Sequence, residues 1–156
     1  MARYRIVVAD SRHADFFDLT ALGAPLDKLT TLPNPYYARF NRDIGADSPG
    51  RSMHRTGAGI RRTALDSRTP LKDQANERFA KLLADQVARD VRANSFDGLV
   101  LVVAPRFLSQ LKRQLPPSAR EQVIAEVPQN LSDLPRLELQ KRIEKIVRRP
   151  SYRPIA

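Results

Sequence analysis

From Tyr4 to Ala9 the chain is a compact apolar run centred on Ile6, Val7 and Val8, and the polar turn Asp10-Ser-Arg-His13 ends it. A run this short predicts a buried central strand. Ala14 to Ala21 then alternates, with Phe17, Leu19 and Ala21 on one face and Phe16, Asp18 and Thr20 on the other, which predicts a hairpin partner for the first strand. After the turn Gly23-Ala-Pro25, Lys28 to Leu32 is rich in β-branched and apolar residues and stops at Pro33-Asn-Pro35. Three antiparallel strands are therefore expected before the pattern changes.

The next regular pattern begins near Thr69, a candidate N-cap, with Pro70 at the first helical position and Asp73 and Glu77 near the positive end of the helix dipole. Phe79, Leu82, Leu83, Val87 and Val91 recur at helical spacing to about Ala93, so this helix has an apolar face for the sheet. Asn94-Ser-Phe-Asp-Gly98 breaks it. Leu99 to Ala104 has no polar residue at all, as expected of a parallel strand covered on both faces. Pro105 opens a helix carrying Leu108, Leu111 and Leu115, which Pro116-Pro117 closes, and Ser118-Ala-Arg-Glu121 reads as a capping box for a short turn. Val123 to Val127 is a fifth strand, and from Pro135 a last helix puts Leu139, Ile143, Ile146 and Val147 on one face.

This order predicts one α/β domain over 1–156 with a single mixed five-stranded sheet, order 3-2-1-4-5, in a ribonuclease H-like architecture with helices packed on the sheet. Between the third strand and the first helix, residues 34–69 are left as a long basic loop, and 135–156 as a basic C-terminal helix and tail. A structureless loop of that length is usually functional or disordered.

Charge sharpens this picture. The 156 residues carry 27 Lys+Arg against 17 Asp+Glu, a formal net charge of +10, which favours phosphate backbones or anionic membrane surfaces. Much of the excess lies in a glycine-punctuated loop rather than opposite bulky apolar residues on a helix, so nucleic acid, not membrane, is the expected partner. In that loop Arg51, Arg55, Arg61 and Arg62 sit between Gly50, Gly57 and Gly59, flanked by Arg39, Arg42 and Arg68. Glycines there would let the backbone turn and approach a polyanion while the guanidinium groups contact phosphates. Tyr36, Tyr37 and Phe40 are interleaved, either as rings on which unpaired bases stack or as anchors to the core. On the last helix Lys141, Arg142, Arg148 and Arg149 could extend the basic surface, with Arg136 and Lys145 nearby.

Catalytic chemistry is less evident. Asp10 with Asp73 or Glu77 could begin a two-metal carboxylate set, but the fourth strand ends in Val103-Ala-Pro105 where a further carboxylate would be needed. His13 and His54 have no cysteine or spaced acidic partner for zinc, and the chain has no cysteine. Ser48 and Ser52 near His54 form no nucleophile elbow, and Gly57-Ala-Gly59 matches neither a phosphate loop nor a dinucleotide fingerprint. No catalytic residue, metal or cofactor is assigned. With no long apolar segment, the expectation is a soluble, cytoplasmic protein.

Four phrases, Val7-Val8-Ala9-Asp10, Asp47-Ser-Pro-Gly-Arg51, Glu77-Arg78-Phe79-Ala80 and Leu99-Val-Leu-Val-Val-Ala-Pro-Arg106, resemble in order and spacing the bacterial family of host attachment proteins. The resemblance runs over nearly the whole chain, to about Ile143. That family is similar in fold to the middle domain of eukaryotic and archaeal class I peptide release factors, whose loop between the third strand and the long helix carries a Gly-Gly-Gln tip. Here Thr56-Gly-Ala-Gly-Ile-Arg-Arg62 takes that position without a glutamine. The resemblance implies a non-catalytic, ribosome-associated RNA-binding protein; the family's name implies a protein-interaction or host-attachment factor.

Overall fold

The computed structural model describes residues 3–37 and 58–148, with the backbone alone for 58–70. Its centre is a single open five-stranded sheet of order β3-β2-β1-β4-β5. The strands are β1 (Tyr4–Ala9), β2 (His13–Leu19), β3 (Asp27–Pro33), β4 (Gly98–Val103) and β5 (Val123–Val127). The helices are α1 (Ala58–Arg92), α2 (Pro105–Gln114), α3 (Pro117–Gln122) and α4 (Arg136–Arg148).

β1 pairs antiparallel with β2 and parallel with β4, in register from Tyr4↔Gly98 to Ala9↔Val103. β4 in turn pairs parallel with β5. Every residue of β4 is buried, because its apolar side chains alternate between two cores. Leu99, Leu101 and Val103 join Val7, Phe16 and the α1 residues Phe79, Leu83 and Val87 on one face, where Phe107 and Leu111 of α2 and Ala119 of α3 also pack. Val100 and Val102 join Ile6, Val8, Phe17 and Leu19 beneath Leu139 and Ile143 of α4 on the other. The molecule is thus layered α1–α2–α3 / sheet / α4. The edge strand β3 is largely exposed, and a bulge between Phe16 and Phe17 adjusts its pairing with β2.

Several boundaries differ from the sequence expectation, most by a single residue. β2 ends at Leu19 because the chain then turns, with the Ala24 N–H bonded to the Ala21 carbonyl and Gly23 at φ 89°. Such a φ is open to glycine without strain. The predicted capping box at Ser118 is not formed: the N-cap is Pro116 and α3 starts at Pro117, two residues earlier than a Ser118 cap would place it, with a ring that presets a helical φ and no side-chain cap.

The largest correction concerns the loop expected over 34–69. α1 begins at Ala58, so Gly59, Arg61, Arg62, Arg68 and Thr69 lie in helical backbone and Thr69 is not an N-cap. Residues 35–37 are also helical. Pro70 lies inside α1, where its missing N–H forgoes one bond, to the Asp66 carbonyl. A 35-residue helix keeps its other turns, and Ala58, Ala64, Leu65 and the arginines are good helix formers. At 1.5 Å per residue α1 is about 52 Å long, against about 20 Å for a six-residue strand. It therefore outruns the sheet, and its N-terminal half starts on the side where β1 and β4 end.

Arg5, within the apolar run of β1, is buried between β2 and α1. Its Nε donates to Asp18 Oδ1 at 2.5 Å, its Nη1 to Asp90 Oδ2 at 2.7 Å, and its guanidinium lies 5.0 Å from the Phe96 ring centroid. One side chain thus joins two strands and the long helix.

Candidate functional site

β1 and β4 are adjacent, parallel and end together, with the Ala104 N–H bonded to the Ala9 carbonyl. The two chains must then leave the sheet, one into the turn Asp10-Ser-Arg-His13 and the other into α2. In open α/β sheets the crevice outside the carboxyl ends of parallel strands is where ligands bind. Here that crevice is a cleft of about 310 Å³.

Its first wall is the turn after β1. Buried Asp10 accepts the N–H groups of Arg12 (2.8 Å) and His13 (3.2 Å) through Oδ1, and Nε (3.1 Å) and Nη2 (2.8 Å) of Arg12 through Oδ2. Burial alone would raise the Asp10 pKa. The Arg12 side chain and the two backbone donors outweigh it, so the carboxyl is held below its usual range. Arg12 is correspondingly held more firmly cationic, first by Asp10 and then by Asp133, whose Oδ1 accepts from Nη2 at 3.1 Å. Because the Asp133 side chain is 81% exposed, solvent screens that pair, and its effect is to aim Arg12 rather than to stabilise the fold.

The second wall is the start of α2. Pro105 takes the first helical position and Ala104, the N-cap residue, offers no side-chain bond, while Arg106 and Phe107 line the cleft. Lys72 and buried Asn76 of α1 form the third side, and Tyr37 and Asn130 complete the rim. Three cations, Arg12, Lys72 and Arg106, therefore share the lining with two carboxylates already bound to Arg12.

Asp10 is thus the turn residue that a simple reading of the sequence makes it. Asp73 lies 3.5 Å from Arg106, and Glu77 is exposed. Among the described residues no three His, Asp or Glu side chains gather as a metal centre, and His13 sits between Asp10 and Asp15 at 3.9 and 3.5 Å. Of the residues expected to contact RNA, Arg39, Arg42, Arg51, Arg55, Gly57 and Arg149 lie outside the described residues, as does Phe40. Arg61, Arg62 and Arg68 belong to α1, whereas Lys141, Arg142 and Arg148 are exposed on α4, across the sheet. The two basic groups therefore arise from opposite layers. Tyr36 is half-buried beneath the Arg78 guanidinium, 5.6 Å from its ring centroid, and Tyr37 is half-buried at the cleft rim.

The sequence reading did not select Arg12, Lys72, Asn76, Arg106, Asn130 or Asp133. Arg12 and Arg106 carry a usable signal, since each closely follows an apolar strand of the parallel pair. Asn130 and Asp133 carry none.

The Asp10 geometry gives a pH dependence with a definite sign. A carboxyl whose folded-state pKa lies below its unfolded value of about 3.9 contributes stability in full above that pH, and loses it as pH falls through the folded pKa. Urea midpoints should therefore fall as pH drops from about 5 toward 2, and Asp10→Asn should shallow that fall. An identical slope in the variant would remove Asp10 from the acid response.

A family model described as "Protein required for attachment to host cells" matches residues 5–143. No curated protein matches the chain. Among the described residues no helix is long and apolar enough to cross a membrane.

Proposed function

Because the chain belongs to the family of proteins required for attachment to host cells, we propose that it serves attachment as an interaction protein, engaging a macromolecular partner through its charged surfaces. The family match over residues 5–143 carries this reading. Supporting it are exposed Lys141, Lys145 and Arg148, which recur at spacings of four and three on α4 and so share one stripe.

A second reading, RNA binding with a fold like the release-factor middle domain and a site on the ribosome, is favoured by the net charge of +10. Arg61, Arg68 and Lys72, spaced by seven and four, also fall in one helical register on α1. On this reading the protein works in the cytoplasm and its effect on attachment is indirect, through gene expression.

One experiment separates the two. Tagged protein is recovered from cells with and without nuclease treatment, alongside an attachment assay on a strain lacking the gene and complemented with wild type or Lys141→Ala/Lys145→Ala/Arg148→Ala. The proposal expects protein partners that survive nuclease and complementation that the triple variant fails to give. Partners lost with the RNA, together with steep salt dependence of binding, would overturn it in favour of the second reading.

A further inference from the structure

We infer that the cleft at the carboxyl ends of β1 and β4 binds a small phosphorylated ligand, a phosphate monoester whose anionic group lies between Lys72, Arg106 and the first turn of α2. This goes beyond the attachment reading, which concerns the outer surfaces. The argument begins with charge. Both carboxylates in the lining are committed to Arg12, and Asp10 is saturated by four hydrogen bonds. Arg106 reaches Asp73 only at 3.5 Å, and Lys72 has no ion-pair partner among the described residues. Lys72 is thus open to an incoming anion on this side of the cleft, and Arg106, 69% exposed and held to Asp73 only by one long contact, can turn its remaining N–H groups to the same anion.

Backbone chemistry points the same way. α2 starts with Pro105 and no side-chain cap, so the N–H groups of its first turn and the positive end of its dipole are presented beside Arg106. A tetrahedral oxyanion accepts from a guanidinium fork, an ammonium and backbone N–H groups together, which a lone carboxylate fits less completely. The remaining lining suits the organic part. Buried Asn76 and rim Asn130 offer amides for hydroxyl groups, beside the rings of Tyr37 and Phe107. A volume of about 310 Å³ accommodates a sugar phosphate.

The test uses the full chain and three probes: ribose 5-phosphate, inorganic phosphate and ribose. Binding is followed by calorimetry and by amide chemical shifts, for wild type, for Lys72→Gln/Arg106→Gln, and for Lys141→Gln/Lys145→Gln as a control for general basicity. The cleft substitutions are at exposed side chains, 69% exposed for Arg106, so the fold is retained. Saturable one-to-one binding of ribose 5-phosphate is expected, with shifts at Arg12, Arg106 and Phe107, weakened at least about tenfold in the cleft variant and unchanged in the control. Inorganic phosphate binding as tightly at the same amides would assign the same site to the free ion. The inference is overturned if neither phosphate probe saturates by about 10 mM, if ribose binds equally well, or if the α4 control loses as much as the cleft variant. None of these results depends on the attachment assay, so the two proposals fail separately.

Discussion

Arg5→Met should destabilise the protein by about 3–5 kcal/mol, seen as a large drop in the urea midpoint at neutral pH. Arg5 is buried with Asp18, and removing the guanidinium leaves that carboxylate facing apolar neighbours, with Asp90 also deprived of its 2.7 Å partner. The loss is dominated by the stranded charge, not by the Coulomb attraction of the pair. A second substitution distinguishes these causes: Arg5→Met combined with Asp18→Leu should recover a substantial part of the stability, since an apolar pair of similar volume avoids the desolvation cost. A double variant as unstable as the single one would show that the guanidinium acts chiefly through its contacts with Asp90 and the Phe96 ring.

A similar loss, about 3–5 kcal/mol, is expected for Phe79→Ala. Phe79 is fully buried and stacks on Phe107 with ring centroids 5.4 Å apart and planes 3° from parallel. The pair pins α1 to α2 immediately below the cleft, so truncation opens a cavity where the two helices and β4 meet. The cycle Phe79→Ala, Phe107→Ala and both together should give a coupling of about 0.5–1.5 kcal/mol. Additive losses would mean that each ring contributes by burial alone. Because Phe107 also lines the cleft, the chemical shifts of the α2 first turn should move in Phe79→Ala even where the rest of the sheet is unchanged.

The sheet was legible in the chain because its strands carry simple patterns. β4 has six consecutive buried positions and no polar residue, and the antiparallel hairpin alternates around short polar turns, so strand order follows from adjacency and crossover rules. The start of α1 was not legible, because Pro70 and the glycines near residue 58 imitate a helix boundary locally. Helix length is set by the sum over many residues, and one missing N–H does not decide it. The same limit applies to Arg5. Pattern reading sees a polar interruption in an apolar run, while the carboxylates that make it tolerable come from positions 18 and 90. The cleft was legible in part. Its strand-end residues are a consequence of topology, but Lys72, Asn130 and Asp133 reach it only through packing of elements that do not adjoin in sequence.

The order of the strands also bears on how the chain acquires its structure. β1 lies in the middle of the sheet, yet one of its two neighbours is β4, nearly a hundred residues downstream in the register pairing Tyr4 with Gly98. A nascent chain can close the local meander of β1, β2 and β3 early, since those contacts span short loops. Until Gly98–Val103 leave the ribosome, however, the most apolar strand of that meander has an open edge, and the face that α4 covers stays bare until the chain reaches Arg136–Arg148. Synthesis therefore passes through a stage in which the future centre of the molecule is its most adhesive margin, and the bulged, solvent-tolerant β3 protects only the opposite side.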